Sequence, residues 1–365
     1  MKSSILILFL IGLFITTSSA QDADYLSLRW KEVATKMPEN WYGSAEAKAV
    51  AENVILAQKE IGGWEKNKEY HQPLSDSEKT LIKQNKEDIG ATFDNGATIT
   101  ELRFLAKIYA HIEDYRYKEA FEKGLNYIFI SQYENGGWPQ FFPVRTGSVA
   151  YSGHITYNDD AMVNTLKFLR EIYSEDQAYS ALKLDQKIIG KAHKSFNSGI
   201  DCILKTQIVV DGSPTVWCAQ HDEKTLAPAK ARSYELPSFS GSESVRIVQL
   251  LMELENPSQE VITAVDGAIN WFENHKIEGI KLETEINAEG KKNRIIVSDP
   301  NASPIWARFY DLETGKPFFC DRDGIKKNSL AEIGYERRNG YSWYTSAPEK
   351  LLKEYPDWKK NVESN

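Results

Sequence analysis

Two aspartates stand side by side in "HITYNDDAMVN" (His154 to Asn164), directly ahead of an apolar helical pattern. One carboxylate at such a position caps a helix and suits the positive end of its dipole, worth about 0.3 to 1 kcal/mol. The second adds repulsion, which a cation or a shared proton must relieve. The pair offers hard oxygens without the Cys and His cluster of a zinc ligand set, which points to calcium, in a site assembled from distant segments rather than an EF-hand loop. Asp94 of "FDNGAT" and Glu243 of "GSES" are further acids just before helical patterns. Capping remains the bland alternative for each.

Two other residue classes accompany the acids. "ENGGWPQFFP" places Trp138, Phe141 and Phe142 in a Gly/Pro-rich loop, and "RRNGYSWY" places Tyr341, Trp343 and Tyr344 near the end. Exposed rings of this kind suit the apolar faces of sugars; buried, they are plugs. Lys230, Arg232, Arg308 and Arg322 could converge on carboxylates of a ligand, since a guanidinium forks onto a carboxylate. Arg337 and Arg338 read better as surface ion-pair partners.

The elements that must position these residues repeat. "DNGATITELRFLAKIY" (residues 94–109) aligns without gaps on "NDDAMVNTLKFLREIY" (158–173), and "SGSESVRIVQLLMEL" (240–254) is a looser third copy. Met162, Leu166, Leu169 and Tyr173 follow helical spacing, so one face of the middle copy is buried. Ahead of these lie segments ending in Gln, a turn and Trp: Trp64, Trp138 and Trp217, 74 and 79 positions apart. Three long repeats of paired helices predict a ring of α-hairpins whose inner helices start on one rim. A strand–turn–strand pattern over Glu283 to Asp299 predicts a small β-hairpin insertion.

Composition sets bounds. The chain has 365 residues, 41% hydrophobic and 12% aromatic, enough for a sizeable core in one domain over 21–365. Residues 1–20 read as a secretory signal peptide, with Lys2, an apolar run and small residues Ser18 and Ala20 before Gln21. Beyond it no run is long enough for a membrane span, so an exported protein, periplasmic or extracellular, is expected. A net charge of -8 argues against nucleic-acid binding and leaves an acidic ligand needing a local cluster of cations. Cys202, Cys218 and Cys320 make no disulfide framework, though one Cys202–Cys218 bridge would be compatible with their proximity.

The quoted motifs, with "WCAQHDEKTLAPAKARSYELPSFSGSES" and "WARFYDLETGKPFFCDRDG", resemble the pectate lyases of polysaccharide lyase family 10 from about Asn53 to Tyr344. The resemblance implies a mainly α fold, an incomplete (α/α)3 toroid, and a monomer that cleaves polygalacturonate by calcium-assisted anti β-elimination. Carried over, Asp94 and Asp160 match acidic residues of the calcium and active centre, with Asp159 in support. Arg232 matches the base. Arg308 and Arg322 match contacts to substrate carboxylates; the residue types themselves add Lys230, Trp138 and Tyr341 as expected substrate contacts on the cleft. From the repeat, Asp159 is expected to cap the helix and Asp160 to face Asp94. A guanidinium stays protonated at neutral pH, its pKa being about 12.5 or higher, so a base role predicts an alkaline optimum, helped by calcium or Lys230 nearby. The alternatives are an α/α-toroid glycoside hydrolase using Asp94 with Asp160 as its carboxylate pair, or a non-catalytic pectin-binding protein.

Overall fold

A computed structural model describes residues 24–364; the proposed signal peptide, residues 1–20, lies outside the described residues. Eleven α-helices carry the described chain, and the strands are short: α1 Trp30–Lys36, α2 Ala45–Ala57, α3 Asp76–Gln84, α4 Ile99–His111, α5 Tyr115–Ile130, α6 Ala161–Tyr173, α7 Gln186–Thr206, α8 Glu243–Met252, α9 Gln259–Asn274, α10 Tyr335–Gly340 and α11 Ala347–Glu363. Helices α4/α5, α6/α7 and α8/α9 pack as hairpins. Neighbouring hairpins meet through α4–α6–α8 on one side and α5–α7–α9 on the other, giving the incomplete α/α toroid that the repeats predict. Helix α1 packs on α4, while α11 packs on α8 and α9. Among the described residues no helix is long and apolar enough to cross a membrane.

Each inner helix buries an apolar face, as its spacing requires: Leu102, Phe104, Leu105 and Ile108 in α4 are matched by Leu166, Phe168, Leu169 and Ile172 in α6. One contiguous core runs from Trp30 to Leu351, with a smaller cluster around Phe309, Phe319, Tyr341 and Trp343. The expected insertion is an antiparallel hairpin of Ile280–Ile286 with Lys292–Ser298.

The tryptophans of the repeat hold the hairpins together. Trp64, Trp138 and Trp217 are buried, and each indole N–H donates to a carbonyl in the last turns of an outer helix: Val54, Ile128 and Ile203. The Gln of each turn then bridges to the following outer helix. Gln58 donates to Gly62 O and Ala120 O, Gln132 to Gly136 O and Ser195 O, and Gln207 to Thr215 O and Ala264 O. Each such side chain satisfies buried backbone groups of two units at once. A fourth clasp, Trp306 to Phe272 O, continues the series beyond the copies visible in sequence. The approach is close: a Cβ on Gly136, whose φ is +93°, would lie 1.9 Å from Ser198 O.

Trp138 is therefore not a sugar platform. It is 1% exposed, because its indole and ring are consumed in the clasp. Phe141 is buried beneath the Arg145 guanidinium, 3.6 Å from the ring centre, and Trp343 is buried with its N–H on Arg337 O. Cys202, Cys218 and Cys320 are free and buried, so the Cys202–Cys218 bridge does not form.

Candidate active site

The rim on which the inner helices start gathers the acids. The turns Asp94–Gly96 and Asn158–Asp160 pack on each other, and the second also contacts α8. Their backbones repeat as their sequences do: φ is +54° at Asn95 and +52° at Asp159, then +77° at Gly96 and +58° at Asp160. Asn and Asp tolerate this left-handed region better than other non-glycine residues. Thr98, β-branched and at φ +67°, is a true outlier, held by accepting from Trp64 N–H and donating to Thr92 O.

This geometry puts Asp159, not Asp160, against Asp94, and neither side chain caps the helix. Asp160 occupies the N-cap position of α6 but its side chain makes no cap bond; it turns to Arg246, 3.5 Å away. Asp159 also caps nothing. Its Oδ2 accepts from Asn158 Nδ2 at 2.8 Å, and its carboxyl lies against Asp94. Partial burial and then the Asp94 charge push the Asp159 pKa up to about 6. Burial raises Asp160 too, with Arg246 opposing.

Asp94 is 2% exposed, paired through Oδ2 with the Lys66 ammonium, while its buried Oδ1 has no partner. The other acids have cations. Glu243 pairs with Arg308 and accepts from Ser240, and Arg308 also donates to Asn158 Oδ1 at 3.0 Å. Glu235 takes Arg232 in a fork, Nε at 2.8 Å and Nη2 closer still, and accepts from Tyr341 O–H at 2.8 Å. Asp159 alone of these acids has no ion-pair partner among the described residues. The deficit of positive charge thus sits on Asp94 Oδ1 and Asp159, whose hard oxygens fit a calcium ion. His154, Asp222 and Glu223 form the one trio among the described residues with ligand atoms within 4.8 Å of one another. It already bonds within the protein: His154 Nδ1 lies 3.0 Å from Glu223 Oε2, and Asp222 Oδ1 accepts from Lys224 N–H and Thr225 N–H.

The arginines cluster on two tyrosine rings beside the acids. Arg232 lies over Tyr234 and Tyr341, Arg308 over Tyr341 at 4.5 Å, and Arg322 and Arg337 over Tyr234 at 5.9 and 4.7 Å. Tyr341 is thus a buried support for guanidinium groups rather than an open surface for a sugar. Arg322 is exposed and forked on Glu336; Arg337, expected at the surface, is buried and shares the same carboxylate. Lys230 is exposed and makes no ion pair among the described residues. Burial lowers the Arg232 pKa, but the Glu235 carboxylate more than offsets it, so the net shift is upward. Arg308 is shifted upward in the same way by Glu243. Lys66, Asn158, Glu235 and Arg246 escape sequence reading; Lys66 had one signal, a cation two residues after Trp64 where the other copies carry Gln140 and Ala219.

Comparison with known proteins gives three results. The family model described as pectic acid lyase matches residues 58–352. The fold is similar to that of a family 10 polysaccharide lyase from Cellvibrio cellulosa, with 33% identity, a TM-score of 0.73, and coverage of 88% of this chain and 96% of that one. It is also similar to a mutant of a family 10 polysaccharide lyase from Cellvibrio cellulosa in complex with trigalaturonic acid, at 33% identity, TM-score 0.72, and coverage of 88% and 97%. No curated protein matches the chain.

Proposed function

Because this chain belongs to the pectic acid lyase family and is a polysaccharide lyase, we propose that it cleaves polygalacturonate by calcium-assisted anti β-elimination. We place it outside the cytoplasm, exported by residues 1–20 and acting as a monomer through one catalytic domain, residues 21–365. The observation that carries the substrate and chemistry is the juxtaposition of a cation-deficient carboxylate pair, Asp94 and Asp159, with Arg308 and Arg232. The bound trigalaturonic acid of the similar enzyme supports an acidic polymer as substrate.

In this reading Asp94 and Asp159 hold the ion, with Asp160 beside them. When bound, calcium supplies positive charge to a uronate carboxylate and so acidifies the neighbouring C5–H. Arg308 and Arg322 pair with uronate carboxylates and stabilise the charge that develops as the C5 proton leaves. Arg232 accepts that proton. The C5–H electron pair becomes the C4=C5 double bond as the C4–O bond breaks, and the leaving oxygen takes a proton from water. Only a neutral guanidine can accept the proton, and Glu235 holds Arg232 in its charged form. Turnover therefore rises with pH through the alkaline range.

Incubating the protein with polygalacturonate and calcium should give a rise in ultraviolet absorbance from the unsaturated product, abolished by chelator. Arg232→Ala should remove turnover and leave binding of the polymer largely intact. New reducing ends without absorbance would mean hydrolysis and end the lyase reading.

A further inference from the structure

The Asp94–Asp159 site carries its own cation. Lys66 Nζ sits on Asp94 Oδ2, and its side chain is 34% exposed while that of Asp94 is 2% exposed. The ammonium also stands 5.7 Å from the centre of the Phe141 ring. Its loop is tied to the acidic turn a second time, by Asn95 Nδ2 donating to Asn67 Oδ1 at 2.9 Å. Both asparagines are left-handed, at +54° and +58°. The repeat does not require a cation here, since the equivalent positions are Gln140 and Ala219. Nor does the Lys66 contact complete the site: Asp94 Oδ1 stays buried without a partner and Asp159 stays without a cation.

We propose that Lys66 is a resident counter-ion which a divalent cation must displace from Asp94, so that the free protein holds that cation weakly. The inference rests on the reading of Asp94 and Asp159 as the cation ligands. A divalent ion held by Asp94 Oδ1 and Asp159 would stand beside the ammonium on Oδ2, and like charges that close repel strongly, so the lysine yields. Its exposure gives the ammonium a route to solvent, and the four-carbon stem lets it swing while the Asn67–Asn95 bond keeps the loop in place. A purely structural ion pair would behave oppositely, because its loss would loosen the acidic turn and weaken any ligand held there.

The test is calorimetric titration of the full-length mature protein with calcium alone, without polysaccharide, for wild type, Lys66→Met, Lys66→Arg and Lys66→Met/Asp94→Asn. Removing the competing charge should tighten calcium binding in Lys66→Met by on the order of tenfold. Lys66→Arg should stay near wild type, and the double variant should lose binding. Thermal melting should show a larger calcium-induced rise for Lys66→Met than for wild type. Calcium binding that is unchanged, weaker or undetectable in Lys66→Met would overturn the proposal, as would equal tightening in Lys66→Arg. Wild-type lyase activity is measured separately, so failure of the proposed reaction and failure of the counter-ion role give different results.

Discussion

Glu235→Gln tests whether a buried carboxylate sets the charge state of the proposed base. The substitution keeps the shape of the side chain and the acceptor for Tyr341 O–H, but removes the negative charge that forks Arg232 through Nε and Nη2. Unit charges about 4 Å apart interact by about 4 kcal/mol at an effective dielectric of 20. The Arg232 side chain is 42% exposed, so solvent screening reduces this to roughly 1 to 2 kcal/mol, or about one pKa unit. The Arg232 pKa is raised in the wild type, with Glu235 overcoming the opposite effect of burial. Removing the carboxylate therefore lowers it, and more neutral guanidine is present at each alkaline pH. The assay is initial rate of unsaturated product against pH, at saturating calcium and polygalacturonate. The rising limb should move to lower pH by about one unit. Loss of rate with an unchanged profile would mean that Glu235 only positions Arg232, and the reasoning about charge would be refuted.

Two further predictions concern stability. Asp159 has a folded pKa of about 6 against its usual 3.8, so its contribution is full below 3.8 and is lost as pH rises through 6. Asp159→Asn should stabilise the calcium-free protein at pH 8 by up to about 1 kcal/mol, solvent screening the exposed residue, and not at pH 4; an equal gain at both pH values in thermal melts would contradict this. Gly136→Ala should cost about 3 kcal/mol or more, since its Cβ meets the Ser198 carbonyl at a positive φ. Gly190→Ala, in the second turn of α7 with nothing within 4 Å, should stabilise by up to about 1 kcal/mol. Urea midpoints that failed to separate the two would discount the close approach.

The helices and the rim were legible because periodicity and repetition report backbone geometry. The gapless match of residues 94–109 to 158–173 correctly pairs Asn95 with Asp159 and Gly96 with Asp160, and the left-handed turns follow it. What a side chain faces is decided by the turn, and the repeat alone points Asp160 at Asp94 where the turn presents Asp159. The sequence puts Trp138 in the right loop but leaves its ring either on the cleft rim or plugging the core. Residue type does not say whether an indole N–H bonds a carbonyl of the preceding helix or water. Nothing in the sequence marks Trp306 as a clasp, because no Gln-and-turn signature precedes it. Lys66 and Glu235 looked like any solvated charge; only the packing of distant segments brings each to its partner.

The clasps bear on how the reaction centre can fail. Asp94 comes from the first inner-helix start, Asn158 and Asp159 from the second, Glu243 from the third, and Arg308 follows the fourth tryptophan by two residues. Each unit is joined to the next by its own indole or amide, so opening of one need not melt the rest. Yet no unit is spare, because every one delivers a group to the same few ångströms. Catalytic turnover should accordingly disappear earlier than helical content on heating, whichever unit opens first, making activity the more sensitive gauge of the ring's integrity.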